Sequence, residues 1–264
     1  MVFSQVNEAA RPLALVTGAA RRLGRVIALD LARHGWDLAL HCRWSLDEAE
    51  ETARDVRALG ARAEVFVVDF AQAQACEALV PDVVQRCGRL DAVVNNASFF
   101  EHDDLATFSV AAMERHWRVN TAPAILMARS LFDHLTARHA RGCIVNLLDQ
   151  KLAHPNPDYL SYTLSKAALA SATLMLARAL APTVRVCGVS PGLTFDSPLI
   201  DTPTLQRLQA GTPLHQGSDP ADVAAAVRFL LLNQSTTGVD LVVDAGSHLE
   251  PGSRDFAFSG LAHD

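Results

Sequence analysis

Residues 13–24 read LALVTGAARRLG: a short apolar run, a turn containing glycine, and the first turn of a helical pattern. The apolar run predicts a buried strand, and the helical pattern continues to about His34, where Gly35 supplies a stop signal. Gly18 and Gly24 stand where the chain must turn sharply and where a phosphate could approach the N-terminus of the helix. Two glycines alone could also serve tight packing between the strand and the helix, without any bound ligand. This unit therefore predicts an α/β fold with a candidate phosphate-binding turn.

The rest of the chain repeats this alternation of short apolar runs and longer helical patterns. Runs that do not alternate with polar residues are typical of strands covered on both faces, and this spacing predicts right-handed βαβ crossovers. We therefore expect one domain over residues 1–264, a Rossmann-type doubly wound parallel sheet of about seven strands with helices on both faces. The further predicted strands are 38–41, 64–68, 92–95, 143–148, 184–189 and 239–243, and the further predicted helices are 45–59, one ending near 87–88, 113–119 running into 123–138, and 159–181.

The composition excludes several classes of function. A net charge of −6 over 264 residues gives no basic surface for nucleic acid or an anionic membrane. Five cysteines without a CxxC pair favour reduced thiols and predict neither a disulfide framework nor a metal site. The first residues lack the pattern of a signal peptide, and no apolar stretch approaches the roughly 20 residues needed to span a bilayer. We expect a cytoplasmic protein.

The end of the second predicted strand indicates which nicotinamide cofactor the fold would take. Residues 40–45 read LHCRWS, and no acidic residue follows until Asp47. An acid at the strand end would bind the ribose hydroxyls of NAD and repel a 2′-phosphate. Arg43 and Ser45, with an arginine of the turn (Arg21 or Arg22), can instead bind that phosphate. Each arginine alone could be a solvated surface cation, but together they favour NADPH.

Other polar residues follow the third and fourth predicted strands. Asp69 can accept a hydrogen bond from the adenine amino group or cap the next helix, and the sequence leaves both alternatives open. Asn95, Asn96 and Ala97 close the fourth strand beside the point where ligands bind in open α/β sheets, although such a pair can simply end a strand.

A candidate acid–base pair lies on the long helix after the fifth strand. Tyr162 and Lys166 are four residues apart and therefore share one face of this helix. A nearby cation favours phenolate, so Lys166 is expected to lower the pKa of Tyr162 toward a range useful for acid–base chemistry. Such pairs are common on helix surfaces, but the preceding strand puts this one at the carboxyl edge of the sheet.

Taken together, these motifs resemble the short-chain dehydrogenase/reductase family over nearly the whole chain. The matching pieces are TGAARRLG at 17–24, NNA at 95–97, Asn120, YTLSK at 162–166 and SPG at 190–192. The resemblance implies that Tyr162 is the general acid, that Lys166 binds ribose and perturbs the tyrosine, and that Asn120 anchors a proton-relay water. The implied cofactor contacts are Gly18, Arg21, Arg22, Leu23, Gly24, His41, Arg43, Ser45, Asp69, Phe70, Asn96, Ala97, Ser98, Tyr162, Lys166, Pro191, Gly192 and Thr194.

Three departures from the family pattern narrow the expected substrate. The middle glycine of the turn is Arg22, the late DGG-like element reads Asp-Ala-Gly at 244–246, and the family's catalytic serine is replaced by Asp149. An ionised carboxylate has no proton to donate to a carbonyl. With Arg22 and the HCRWS stretch, Asp149 makes the chain similar to pteridine reductases and the related dihydromonapterin reductases. That resemblance implies a pterin stacked on Phe100, and substrate contacts at Ser98, Phe100, Asp149, Tyr162 and Leu193.

The expected reaction is reduction of a pterin, dihydropterin or dihydrofolate C=N bond by NADPH. The proline-containing segment 190–219 shows little periodicity and is predicted to be a lid over the substrate. A carbonyl reductase of the same fold and a non-catalytic NADPH-binding sensor are the alternatives. The helix predicted at 159–181 is apolar nearly all round, and it is expected to be buried either within the chain or, following the family, in a homotetramer.

Overall fold

The computed structural model describes residues 11–250 and 252–258. It contains a seven-stranded parallel sheet in the order β3-β2-β1-β4-β5-β6-β7, which confirms the predicted fold class. The strands are β1 Leu13–Val16, β2 Asp37–Cys42, β3 Ala63–Val67, β4 Ala92–Asn95, β5 Gly142–Leu147, β6 Val184–Pro191 and β7 Asp240–Val243. The helices are α1 Arg22–Arg33, α2 Leu46–Ala58, α3 Ala73–Cys87, α4 Val110–His116, α5 Ala122–Ala137, α6 Leu160–Ala179, α7 Thr202–Ala210 and α8 Pro220–Leu232.

Helices cover both faces of the sheet because successive strand side chains point to opposite sides. In β1, Ala14 and Val16 pack into the layer formed with α1, α2 and α8, whereas Leu13 and Leu15 pack into the layer formed with α3, α5 and α6. All four residues are buried, as a strand covered on both faces requires. The chain reverses its strand order between β1 and β4, and the candidate site lies at the carboxyl edge of the sheet at this switch point.

Two local features differ from the sequence-based expectation. The segment 190–219 is not wholly irregular, because it contains α7, whose N-terminus is capped by the Asp201 side chain accepting from the Thr204 N–H at 2.9 Å. Leu205 and Leu208 are the large apolar side chains of α7 and both are half-buried, so its apolar pattern is too short to indicate a helix in the sequence. The helical segment from α4 to α5 is interrupted by a π-helical turn at Trp117–Thr121, and such turns are frequent at functional sites.

Part of the apolar surface of α6 stays uncovered within one chain. Leu169, Ala172 and Ala177 are buried, whereas Leu174 and Met175 are exposed. Burial within the chain therefore accounts for only part of the apolar character of this helix. Among the described residues, no helix is both long enough and apolar enough to cross a membrane.

Candidate active site

The turn after β1, which we name the cradle, packs closely against the first turn of α1. Gly18 has φ +64°, and a Cβ there would lie 3.0 Å from the Cα of Ala97. A Cβ on Gly24 would lie 2.1 Å from the carbonyl oxygen of Gly18, so the first turn of α1 packs directly on the loop. The N-cap residue Arg21 makes no side-chain capping hydrogen bond, which leaves the first N–H groups of α1 available to a phosphate.

The segment after β4 braces this turn from the side. The amide of Asn96 donates to the carbonyl oxygens of Thr17 at 2.9 Å and Gly18 at 3.2 Å. In return, the Thr17 hydroxyl accepts from the backbone N–H groups of Asn96 and Ala97, both at 2.9 Å. Asn96 therefore does more than end a strand, because it holds the turn in shape.

His41 supports the same turn from within the protein. Its Nδ1 accepts from the Gly18 N–H at 3.2 Å, so Nε2 carries the proton and donates to the Val68 carbonyl oxygen at 3.0 Å. The ring stacks on Phe70 at 4.2 Å, and burial lowers the pKa of His41 to about 4. His41 and Phe70 were both predicted as cofactor contacts, and the structure gives their side chains a buried, supporting position.

The region predicted for the 2′-phosphate contains an arginine that is already paired. Arg43 makes a two-pronged contact with Asp69, with Nε–Oδ1 and NH2–Oδ2 distances of 3.0 Å each. Asp69 also accepts from the Ala71 N–H at 3.0 Å, but it does not cap the next helix, because α3 begins at Ala73 after the N-cap residue Gln72. The capping alternative is therefore wrong, and the adenine contact stays a prediction. The guanidinium of Arg43 lies 5.0 Å from the ring of Trp44, which is 73% exposed and was not predicted as a site residue. The half-buried Ser45 lies just before α2.

Arg22 connects the turn to the predicted lid. Its NH2 donates to the Asp196 carbonyl oxygen at 2.8 Å, and its guanidinium lies 5.0 Å from the ring of Phe195. Arg22 has φ 53°, an uncommon backbone conformation for a residue with a Cβ. Arg22 thus contacts residues 195 and 196, which belong to the segment predicted as a lid.

The structure brings Tyr162 and Asp149 into direct contact. The Tyr162 hydroxyl donates to Asp149 Oδ2 at 2.7 Å, and the Lys151 N–H donates to Asp149 Oδ1 at 2.9 Å. Burial raises the pKa of Asp149, and these hydrogen bonds offset only part of the rise. Asp149 lies just after β5, so the sheet edge and the first turns of α6 together position this pair.

The predicted effect of Lys166 on Tyr162 was wrong. Burial and the adjacent Asp149 carboxylate raise the pKa of Tyr162 well above its ordinary value. The Lys166 ammonium lies 5.8 Å from the Tyr162 ring and donates to the Leu147 carbonyl oxygen at 2.7 Å. Burial lowers the pKa of Lys166 to about 8. The tyrosine is therefore held as a neutral phenol.

Asn120 lies in the π-helical turn and ties the loop after β4 to α6. Its amide donates to the Phe99 carbonyl oxygen at 3.0 Å and to Ser165 Oγ at 2.9 Å. Its Oδ1 accepts from the Phe99 N–H at 2.7 Å and from Ser98 Oγ at 3.3 Å. These contacts use both amide hydrogens and both acceptor positions, so a relay water would have to bind the backbone of Asn120.

Phe100 projects into the site with one face already occupied. Its ring stacks on Tyr159 at 4.3 Å and 19°, and it meets Tyr162 edge-on at 4.6 Å and 90°. The side chain is 55% exposed, so its remaining surface is open to a ligand. Phe99 contacts the buried His116 instead, at 4.8 Å between ring centroids.

These side chains surround a cavity of about 320 Å³. Eleven residues predicted from the sequence line it: Arg22, Leu23, Asn96, Phe100, Asp149, Tyr162, Lys166, Pro191, Gly192, Leu193 and Thr194. Residues that line it without having been predicted include Lys151, Tyr159, Phe195, Ile200, Asp255, Phe256 and Ala257. Phe195 and Ile200 lie within the 190–219 segment predicted as a lid, whereas Asp255, Phe256 and Ala257 reach the cavity only through tertiary contacts.

A protein-family model and solved structures of other proteins match most of this chain. A family model described as enoyl-(acyl carrier protein) reductase matches residues 18–248. Alternative dihydrofolate reductase 1 from Brucella canis, solved with NADP, is 36% identical with a TM-score of 0.85, covering 91% of this chain and 95% of its own. The Brucella suis counterpart, also with NADP, is 36% identical with a TM-score of 0.87, covering 91% and 96%.

A curated relative points to the same family with a different substrate. The Streptomyces violaceoruber protein named as granaticin polyketide synthase ketoacyl reductase 2 is 33% identical over 251 residues, covering 90% of this chain and 96% of that protein. The match to the family model extends from the turn after β1 to the segment after β7. It therefore includes the cradle and the Tyr162–Lys166 pair. The chain therefore belongs to the short-chain dehydrogenase/reductase family.

Proposed function

We propose that this chain reduces a ring C=N bond of a pterin, dihydropterin or dihydrofolate, with NADPH as the hydride donor. The observation that carries the proposal is the 2.7 Å hydrogen bond from Tyr162 to Asp149, at the position where the family resemblance implies a serine. A serine hydroxyl could donate to a substrate carbonyl, whereas an ionised carboxylate can only accept. When protonated, the same carboxyl can return a proton to Tyr162, so the pair is suited to delivering a proton to a ring nitrogen.

The cradle fits the proposed cofactor. Gly18 and Gly24 leave no room for a side chain between the turn and the helix, so the backbone can approach a pyrophosphate. Lys166 and the turn arginines would hold the ribose and phosphate groups, and the bound cofactor would supply the hydride. The Brucella relatives were solved with NADP, which agrees with the absence of an acid from 40–45.

Asp149 has a specific part in the proton transfer. When Tyr162 gives its proton to the substrate nitrogen, a bare phenolate would stand beside a carboxylate, and both negative charges would be poorly solvated. Transfer from the protonated form of Asp149 back to Tyr162 avoids this arrangement. Because burial raises the pKa of Asp149, that protonated form is more populated near neutral pH than for an ordinary aspartate. Reduction should therefore depend on the protonated fraction of Asp149.

Phe100 would provide the platform for the ring. One face of Phe100 is stacked on Tyr159, so a flat heterocycle would lie against its accessible surface, beside the Tyr162 hydroxyl. Stacking of this kind is typically worth about 0.5–1.5 kcal/mol beyond area burial. Residues of the 190–219 segment that line the cavity, including Leu193 and Ile200, would exclude water from above.

Direct turnover tests the proposal. We expect NADPH-dependent reduction of dihydrobiopterin, dihydromonapterin or dihydrofolate. The reaction is measured as the decrease in NADPH absorbance. The Tyr162→Phe variant should bind NADPH and lack this activity, which controls for contaminating reductases. Turnover of none of the three compounds by the folded, NADPH-binding protein would overturn the proposal.

Carbonyl reduction is the second candidate. It is favoured by the ketoacyl reductase relative and by Ser98, whose hydroxyl lies close enough to Tyr162 to influence its pKa and could serve as the missing donor. A 3-oxoacyl thioester assayed beside the three pterins separates the candidates. An Asp149→Ser variant that gains ketone activity and loses pterin activity supports pterin reduction as the native reaction.

We further infer a homotetramer, following the family. The exposed Leu174 and Met175 on α6 are apolar side chains that a second copy could cover. The solution mass by light scattering tests this inference, and a monomeric mass would contradict it.

A further inference from the structure

The chain returns to the active site after β7. We name residues 252–258 the C-terminal strap; it includes a short 3-10 turn at Phe256–Phe258. Asp255, Phe256 and Ala257 line the catalytic cavity together with Tyr162 and Phe100. The strap therefore forms part of the wall that a substrate would meet, although no motif of the cofactor fold requires it.

A buried lysine attaches the strap to the protein. Lys151 is 6% exposed, and its ammonium donates to the Asp158 carbonyl oxygen at 2.7 Å and pairs with Asp255 Oδ2 at 2.9 Å. Asp158 in turn receives the fork of Arg254, with Nε–Oδ2 and NH2–Oδ1 distances of 2.8 Å each, and the Asp255 N–H at 2.8 Å. An ammonium is costly to bury unless it is paired, so Lys151 and the strap depend on each other.

The same lysine contacts the catalytic carboxylate through its backbone. Lys151 lies in the 3-10 turn Gln150–Ala153 that follows Asp149, and its N–H donates to Asp149 Oδ1 at 2.9 Å. The other oxygen of Asp149 is the acceptor for Tyr162. A shift of Lys151 would therefore move the hydrogen bond that orients Asp149 toward the tyrosine.

A third set of contacts connects the strap to the platform for the ring. The Lys151 ammonium lies 5.3 Å from the centroid of the Tyr159 ring, and Phe258 of the strap lies 6.0 Å from the same ring. Tyr159 has φ 55°, which a non-glycine residue rarely adopts without support from its surroundings. Tyr159 also stacks on Phe100, with ring centroids 4.3 Å apart. Lys151 and the strap thus help fix the ring on which Phe100 rests.

We propose that Lys151 is a positioning residue that, by pairing with Asp255, holds the C-terminal strap as the outer wall of the substrate cavity and keeps Asp149 and the Phe100–Tyr159 stack in register. The strap thereby sets the width of the part of the substrate cavity that would hold a flat ring. The identity of that ring rests on the proposed function, whereas the positioning role of Lys151 does not. The competing interpretation is a purely structural anchor, which would affect stability and leave the folded enzyme's kinetics unchanged.

Full-length variants distinguish the two interpretations. Lys151→Met and Asp255→Asn each remove the pair, and Lys151→Arg keeps a cation that can still contact Asp255. The matched control is Arg228→Met, which removes an ion pair of the same 2.9 Å length to Asp30, between α8 and α1 and outside the cavity lining. Each variant is assayed for pterin KM and kcat, for NADPH Kd and for thermal stability.

We expect Lys151→Met to raise the pterin KM by about tenfold and to lower kcat by at least about threefold, with NADPH Kd within about twofold of the unmodified chain. Asp255→Asn should change the same parameters in the same direction, and Lys151→Arg should recover most of the loss. Arg228→Met should lower the melting temperature alone. Unchanged KM and kcat in Lys151→Met and Asp255→Asn, with only lower melting temperatures, would overturn the proposal.

Hydrogen–deuterium exchange gives a readout that needs no substrate. In Lys151→Met and Asp255→Asn, amides of residues 149–162 should exchange faster than in the unmodified chain, and in Arg228→Met they should not. Unchanged exchange in this peptide would count against the positioning role. Absence of pterin turnover by the unmodified chain would count against the proposed function alone, so the two failures can be told apart.

Discussion

The most informative single substitution in the proposed mechanism is Asp149→Asn. Asparagine has nearly the same shape, and its single carbonyl oxygen can still accept from the Lys151 N–H, at 2.9 Å in the unmodified chain. Its amide nitrogen then faces the Tyr162 hydroxyl, which lies 2.7 Å from Asp149 in the unmodified chain, and can only donate to it. Asparagine can neither carry the negative charge nor deliver an acidic proton. The change therefore removes the proton exchange with Tyr162 while keeping the side-chain shape and the contact with the Lys151 N–H.

The expected loss follows from two contributions. A hydrogen bond to a charged group contributes about 1.5–3 kcal/mol, and a positioned general acid or base contributes about 10²–10⁴-fold in rate. Because both act on the same proton, they overlap rather than multiply. We expect kcat for dihydropterin to fall by about 10²–10³-fold, with NADPH Kd little changed because Asp149 is not part of the phosphate cradle.

The pH dependence gives a sharper signature than the size of the loss. Burial raises the pKa of Asp149, and the proposed reaction uses the protonated form. In the unmodified chain kcat should be highest below this raised pKa and should fall as pH rises through it. The Asp149→Asn variant has no such group, so its residual kcat should lose that limb of the profile. The measurement is single-turnover NADPH oxidation as a function of pH, with melting curves to confirm folding.

Two results would refute this reasoning. One is an Asp149→Asn enzyme with kcat within about threefold of the unmodified chain, which corresponds to less than about 1 kcal/mol of transition-state stabilisation. The other is a variant that keeps the same declining limb, since another group would then be responsible for it. In either case Asp149 would be a structural acceptor for Tyr162.

Three further substitutions test the cradle and its supports. Gly24→Ala should weaken NADPH binding at least about tenfold in a fluorescence titration, because its Cβ would lie 2.1 Å from the Gly18 carbonyl oxygen. Unchanged binding would contradict the close packing described for the turn. Arg43→Ala should raise the Kd for NADPH by about tenfold and leave that for NADH unchanged, and equal effects on both would exclude a 2′-phosphate contact. His41 has a folded-state pKa of about 4 against 6.5 in the unfolded chain, so its contribution to stability is complete above pH 6.5 and is lost as pH falls toward 4. Urea unfolding of the unmodified chain should therefore lose about 3 kcal/mol more over this range than His41→Gln, and parallel curves would show that His41 is not buried as a neutral ring.

The sequence predicted the sheet because its strands are buried on both faces. Strands such as β1 and β2 consist mainly of apolar residues, and each is followed by a helix of ordinary length, so local patterns were sufficient. The Tyr162–Lys166 pair was likewise visible, because a spacing of four on a helix is a local property. Asp149 became informative only through comparison with a family pattern.

The unpredicted parts of the site depend on contacts between distant residues. Lys151 and Asp255 are 104 positions apart, and no periodicity connects them. The ring of His41 binds the turn 23 positions earlier, so a residue that resembled a cofactor contact supports the backbone from inside. Helix α7 offers only Leu205 and Leu208 as an apolar pattern, which is too short to predict a helix within the segment predicted as a lid. In each case the pairing is set by how the elements pack, which a single sequence does not display.

The stack of Phe100 on Tyr159 has a consequence for the direction of the proposed cycle. A rigid aromatic surface makes its best contact with a planar partner, and hydride addition turns a flat ring carbon into a tetrahedral one. The reduced ring would pucker and lose part of its contact with Phe100. Phe100 would therefore bind the reactant more tightly than the product. Tilting of the Phe100 ring to follow that pucker would cost part of its stacking contact with Tyr159. The same stack that orients the substrate would thus favour release of the product and limit product inhibition.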